Sequence, residues 1–232
     1  MAESSKLSKF YLLAYNAVQT LGWCSLLYQL VQYCVFPKND ASLYDSLKCT
    51  LIIFQNAAVL EIFHAIFKLV PSSPIITVQQ VFSRVLVVCG VLMTSYDARS
   101  SVGLPLALTA WSITEIIRYM YYTLNLINMV PQILVWLRYT TFIALYPIGV
   151  TGELLCIYAA QNELKKTGMW TVTLPNWLNF TFNYPYLLLG IMALYVPLFP
   201  QLYLHMFAQR RKILGTEAAT KAGSSKKKTK QN

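Results

Sequence analysis

Six apolar runs set the strongest constraint on how this chain folds. They cover residues 10–35, 47–70, 75–96, 104–127, 132–160 and 182–208. About 20 helical residues cross the roughly 30 Å hydrocarbon core of a bilayer, and each run is long enough to do so. Prolines, asparagines, aspartates and serines occupy the short breaks between the runs. The pattern predicts an all-α polytopic membrane protein, a six-helix transmembrane bundle with short loops.

The composition supports the bilayer as solvent. Charged residues make up 12% of the chain and the set AVILMFWYC makes up 56%, whereas a soluble domain carries about 25% charged residues. Five cysteines without a Cys-x-x-Cys motif, and only two histidines, do not suit a zinc site or a disulfide framework. We therefore expect neither a metal nor another cofactor.

The distribution of lysine and arginine predicts the orientation. With the amino terminus in the cytosol, 11 of the 19 cationic side chains lie on the cytosolic side, 5 lie opposite and 3 lie within spans, as the positive-inside bias requires. This gives a cytosolic segment 1–9, a membrane domain 10–208 and a basic cytosolic tail 209–232. We interpret the tail as a membrane flank that contacts anionic lipid rather than nucleic acid, because no soluble domain accompanies it.

Several ionisable side chains lie inside the predicted spans, where each costs at least about 2.5–3.5 kcal/mol. They are Glu61, His64, Arg84, Glu115, Arg118, Arg138 and Glu153. Residues three apart share a helix face, so Glu115 is expected to pair with Arg118. The same spacing predicts a pair between Glu61 and His64. Such pairs serve either as a polar layer that fixes the helices in register or as part of a site.

Glu153 differs because its own helix offers it no cation. Tyr146 lies seven residues earlier, on nearly the same face and about 10.5 Å away along the axis. Between them, Pro147 removes a backbone donor, while Gly149 and Gly152 carry no side chain. We expect a kinked helix with an empty notch between a phenol and a carboxyl, which suits a ligand. The alternative is that Tyr146 only packs or lies at the interface, as membrane tyrosines commonly do.

A longer motif contains both residues. Residues 137–140 read Leu-Arg-Tyr-Thr, residues 145–149 read Leu-Tyr-Pro-Ile-Gly, and Glu153 follows. This pattern resembles the core motif of the 3-hydroxyacyl-CoA dehydratases of very-long-chain fatty acid elongation, once called protein-tyrosine-phosphatase-like. Further segments similar to this family are residues 60–64, 70–73, 83–84, 111–119, 174–176, 179–180, 200–203 and 209–212. A cysteine phosphatase is not expected, because Ala65 follows His64 and no cysteine lies beside an arginine there.

The resemblance implies a six-span endoplasmic reticulum protein with both termini cytosolic. It implies dehydration of a (3R)-3-hydroxyacyl-CoA to the trans-2-enoyl-CoA, without a cofactor, with Tyr146 and Glu153 as the catalytic pair. Elongase and reductase enzymes of the elongation cycle are the implied protein partners. We expect a further set of residues to bind substrate or support the pocket, namely Arg138, Arg118, Glu115, Arg84, Gly149 and Gly152.

Two other functions remain open on the residues alone. A proton- or ion-coupled transporter would use Glu61, Glu115 and Glu153 as a relay. A non-catalytic scaffold would bind elongases and would leave the spacing of Tyr146 and Glu153 unexplained. The tail residues Lys228 and Lys230 match a lysine-based retrieval signal of reticulum membrane proteins.

Overall fold

The computed structural model describes residues 6–36 and 41–229, with side chains described as far as Gly215. The chain in these ranges is helical and forms no strand beyond one antiparallel bridge between Val172 and Phe182. The helices are α1 Lys6–Val35, α2 Leu43–Ala57, α3 Leu60–Ile66, α4 Pro74–Val85, α5 Tyr96–Arg99, α6 Gly103–Leu126, α7 Gln132–Arg138, α8 Phe142–Thr167 and α9 Tyr184–Thr229. A π-helical segment, Leu86–Leu92, continues α4.

Four helical stretches are long and apolar enough to cross a membrane. They are Leu43–Ile66, Pro74–Leu92, Phe142–Thr167 and Tyr184–Gly215. The all-helical membrane fold is therefore confirmed, while the count of six spans stays a prediction. The other two long helices, α1 and α6, also match predicted runs but are not among these four, and α1 carries polar side chains in its interior. In α1, for example, Asn16 donates to the Leu12 carbonyl at 2.7 Å and Gln19 donates to the Phe54 carbonyl at 3.3 Å.

Some predicted boundaries are wrong. The run 132–160 is not one helix, because a turn at residues 139–141 separates α7 from α8. The run 47–70 is likewise divided between α2 and α3. Helix α8 continues beyond residue 160 and stops at Thr167, where Gly168 adopts a left-handed conformation with φ of 63°. Helix α9 continues beyond residue 208 to Thr229, and the boundary between the membrane domain and the tail stays a prediction.

Helix α6 forms the centre of the fold, between α1 on one side and α8 on the other. Its backbone touches that of α8 where two glycines meet. A Cβ atom on Gly152 would lie 2.5 Å from the Ala107 amide nitrogen and 2.7 Å from the Gly103 carbonyl oxygen. A Cβ atom on Gly103 would lie 2.5 Å from the Gly152 carbonyl oxygen. Both positions therefore need glycine for the helices to pack at this distance.

The predicted retrieval signal falls outside the described part of the chain. The structure describes no side chain at Lys228 and does not describe Lys230. The cytosolic location of both termini also stays a prediction.

We expect Gly152→Ala to destabilise the protein, because the new methyl group overlaps backbone atoms of α6. Overpacking of this kind costs typically about 1–3 kcal/mol. Thermal unfolding of purified protein in detergent measures the loss. Gly190→Ala on α9 is the matched control, since nothing lies within 4 Å of its Cβ position. Equal unfolding temperatures for the two variants would contradict the close contact.

Candidate functional site

The carboxylate of Glu153 is held by two neutral donors from other helices. The side chain is 6% exposed. The Trp111 indole nitrogen, on α6, donates to Oε1 at 2.8 Å, and the Tyr195 hydroxyl, on α9, donates to Oε2 at 2.6 Å. Within the described residues Glu153 forms no ion pair. These two hydrogen bonds fix the position of the carboxyl. The indole N–H can only donate, whereas the Tyr195 hydroxyl can also accept, so Oε2 keeps its partner in either protonation state.

Tyr146 is half-buried and is positioned by aromatic rings. Its ring stacks on Phe199 with centroids 5.1 Å apart and an interplanar angle of 8°, and on Tyr203 at 6.0 Å and 11°. Among the described residues, its hydroxyl has no hydrogen-bond partner. The neighbouring rings therefore fix the Tyr146 side chain without using its hydroxyl.

Both side chains face the same surface of α9. Tyr195, Phe199 and Tyr203 are spaced four residues apart, so they lie along one face of that helix. The first contacts Glu153 and the other two contact Tyr146. The prediction that Tyr146 and Glu153 share a face of their own helix is confirmed.

The empty notch predicted at Gly149 and Gly152 is wrong. A Cβ atom on Gly149 would lie 3.4 Å from the Ala110 Cβ and 3.9 Å from Trp111 Cδ1, and Gly152 touches the backbone of α6. Helix α6 thus fills the space that the absent side chains leave. The glycines serve helix packing, which in turn brings Trp111 within reach of Glu153.

Four of the other intramembrane charges, Glu61, Arg84, Glu115 and Arg118, form one ion network. Arg118 contacts Glu115 at 2.6 Å, as predicted, and its two terminal nitrogens donate to both oxygens of Glu61 at 2.8 and 2.9 Å. Arg84 pairs with the second oxygen of Glu115. Tyr119 donates to Glu61. Two arginines and two glutamates therefore balance one another and hold α3, α4 and α6 together.

The predicted pair between Glu61 and His64 is wrong. Glu61 instead binds the Arg118 guanidinium in a two-pronged contact, which is a stronger arrangement than a single imidazole bond. His64 is buried and its Nε2 lies 2.8 Å from the Tyr11 hydroxyl. The His64 side chain thus links α3 to α1.

Arg138 lies apart from this network. Its guanidinium carbon is 4.4 Å from the Tyr121 ring centre and 4.6 Å from that of Tyr122, and Nη2 donates to the Tyr122 hydroxyl at 3.1 Å. Nη1 is buried and has no hydrogen-bond partner in the described residues. No described carboxylate pairs with it. Arg138 therefore keeps one buried donor for a further acceptor.

Four residues of the site were not predicted from sequence as contacts of the pair. They are Trp111, Tyr195, Phe199 and Tyr203. The spacing of the three α9 residues by four is a visible signal in the sequence. It predicts a shared face, but which helix that face meets depends on tertiary packing.

We expect Glu115→Gln to destabilise the protein by about 3–5 kcal/mol, because it leaves Arg84 and Arg118 partly unpaired inside the bundle. Unfolding in detergent measures the effect. Lys48→Gln breaks the exposed pair with Asp45, whose side chains are 47% and 49% exposed, and it should cost less than about 1 kcal/mol. Similar small losses in both variants would show that the buried network does not stabilise the fold.

Comparison with known proteins identifies the relatives of this chain. Residues 55–216 match the family model described as protein tyrosine phosphatase-like protein, PTPLA. A mouse protein named very-long-chain (3R)-3-hydroxyacyl-CoA dehydratase 2 is 47% identical over 204 residues, 88% of this chain and 80% of that protein. The Caenorhabditis elegans dehydratase hpo-8 is 44% identical over 94% of this chain and 97% of its own length. The Arabidopsis thaliana dehydratase PASTICCINO 2 is 36% identical over 90% and 95%, respectively. No solved structure matches the chain.

Proposed function

This chain belongs to the protein tyrosine phosphatase-like family, PTPLA, and we propose that it dehydrates very-long-chain (3R)-3-hydroxyacyl-CoA to the trans-2-enoyl-CoA. This is the third step of the microsomal fatty acid elongation cycle. Relatives over most of the chain's length carry the name of this activity. The structural observation that carries the proposal is the arrangement of Tyr146 and Glu153 against one face of α9.

The reaction needs a base for the C2 proton and an acid for the departing C3 hydroxyl. Tyr146 and Glu153 supply one phenol and one carboxyl, two helical turns apart, and both reach toward α9. The C2–C3 bond of the substrate would lie between them. One group takes the proton from C2, the electron pair forms the double bond, and the other group protonates the hydroxyl, which leaves as water. Trp111 and Tyr195 hold Glu153 in place during this exchange.

We assign supporting roles to the remaining predicted residues. Arg138 has a buried, unbonded N–H and suits an anionic or carbonyl oxygen of the acyl-CoA. The Arg84 guanidinium carbon lies 5.9 Å from the centre of the Trp111 ring. Arg84 therefore connects the ion network of Glu115 and Arg118 with Trp111, which holds Glu153. Gly149 and Gly152 support the site by allowing α6 to approach α8.

The proposed setting is the endoplasmic reticulum membrane, with six spans and both termini in the cytosol. The excess of cationic residues on one side supports this orientation. Membrane lipid, and the elongase and reductase enzymes that supply and consume the intermediates, are the proposed partners.

The structure gives the transporter alternative no support. Two of its three relay carboxylates, Glu61 and Glu115, are held by arginines in a charge-balanced network. Their oxygens are already engaged in structural ion pairs that join three helices. A scaffold would have no need for a buried carboxyl held between a tryptophan and a tyrosine.

We expect Tyr146→Phe and Glu153→Gln each to lower turnover by roughly 10² or more, the scale of general acid–base catalysis. The double variant should be little worse than either single one, because the two residues act as a unit. Loss of 3-hydroxyacyl-CoA, followed by chromatography with purified protein in detergent, measures the rate. Tyr186→Phe is the control, since Tyr186 is 66% exposed on α9. Well-folded variants with wild-type rates would overturn the assignment.

The orientation has its own test. A protease added to sealed microsomes should remove an epitope placed after Asn232, because the carboxy terminus is expected in the cytosol. A lumenal marker protein shows that the vesicles are closed. Protection of the epitope until detergent is added would reverse the proposed topology.

A further inference from the structure

Pro147 creates a gap in the hydrogen bonding of α8. In an α-helix each backbone N–H donates to the carbonyl four residues earlier, and proline has no N–H. The carbonyl of Ile143 therefore lacks its helical donor. The Tyr203 hydroxyl, on α9, donates to this carbonyl oxygen at 3.0 Å. A side chain from another helix thus replaces the backbone bond that Pro147 removes.

The same side chain also contacts Tyr146. The Tyr203 ring stacks on Tyr146 with an angle of 11°, and on Phe199 at 5.5 Å and 17°. Phe142 and Phe207 meet its edge at 5.9 and 5.0 Å. Tyr203 is therefore held on several sides, and its three contacts with α8, at Phe142, Ile143 and Tyr146, lie in the turn that carries Tyr146.

We propose that Tyr203 is a positioning residue for Tyr146, acting through its ring and through the Ile143 carbonyl. Ile143 lies three residues before Tyr146, so a bond to its carbonyl fixes the backbone from which the phenol projects. The Tyr146 hydroxyl has no described partner of its own, so its place depends on that backbone and on the stacked rings. This inference rests on the proposed dehydratase function.

The first test separates the hydroxyl of Tyr203 from its ring. Tyr203→Phe keeps the stacking and removes the bond to Ile143, so kcat should fall about three- to tenfold, the net effect of one hydrogen bond, with KM unchanged. Tyr203→Leu also removes the stacking and should lower kcat further. Tyr186→Phe, on the same helix, should leave both constants unchanged. Wild-type kcat in Tyr203→Phe, or a change confined to KM, would overturn the positioning role.

The second test restores the missing donor. Pro147→Ala supplies a backbone N–H for the Ile143 carbonyl, so the Tyr203 hydroxyl becomes redundant. In that background Tyr203→Phe should change kcat by less than about twofold, and it should also shift the unfolding temperature less than in the wild-type chain. If Tyr203→Phe lowers kcat equally in both backgrounds, the proposal is overturned. If Pro147→Ala is inactive, equal shifts of the unfolding temperature in the two backgrounds overturn it instead.

The third test asks whether Tyr203 acts through Tyr146. In the Tyr146→Phe background, Tyr203→Phe should lower the residual rate no further. A full additional loss would show that Tyr203 acts independently and would overturn the inference. Full activity of Tyr146→Phe itself would instead overturn the proposed function, so the two failures are distinguishable.

Discussion

The contact between α6 and α8 at Gly103 and Gly152 is the constraint on which the site depends. Backbone atoms of the two helices approach so closely that neither position has space for a methyl group. This approach places Trp111, two turns beyond Gly103 along α6, where its indole reaches Glu153. A wider separation of the helices would leave a buried carboxyl without one of its two donors, which is costly in an apolar interior.

The buried carboxylates fall into two kinds. Glu61 and Glu115 bind arginines. Removing one partner of such a buried pair strongly lowers the stability of the protein. Within the described part of the chain, Glu153 binds the neutral donors Trp111 and Tyr195 and no cation. A carboxyl without a salt bridge can change its protonation state without leaving a partner cation unpaired. The geometry therefore separates charges that hold the fold from the one that suits proton transfer.

Local sequence relations predicted much of this structure. The apolar runs identified the long helices, and the spacing of three and of seven residues correctly placed Glu115 with Arg118 and Tyr146 on the face of Glu153. Relations between helices were not predictable in the same way. The glycines of α8 predicted an empty notch, because the sequence does not show that α6 packs there. Likewise, Glu61 pairs with Arg118 from α6 and not with His64 from its own helix.

Helix α9 illustrates why the contacts of the site had to come from the structure. Little of its apolar length is buried, so this helix resembles one that faces lipid. Its buried contacts begin with Tyr184, which donates to the Gly90 carbonyl at 2.8 Å, and Leu188. Beyond them, one aromatic face meets α8. The proposed catalytic pair thus lies between a packed central helix, α6, which fixes Glu153, and a largely exposed one, α9, whose aromatic face fixes Tyr146.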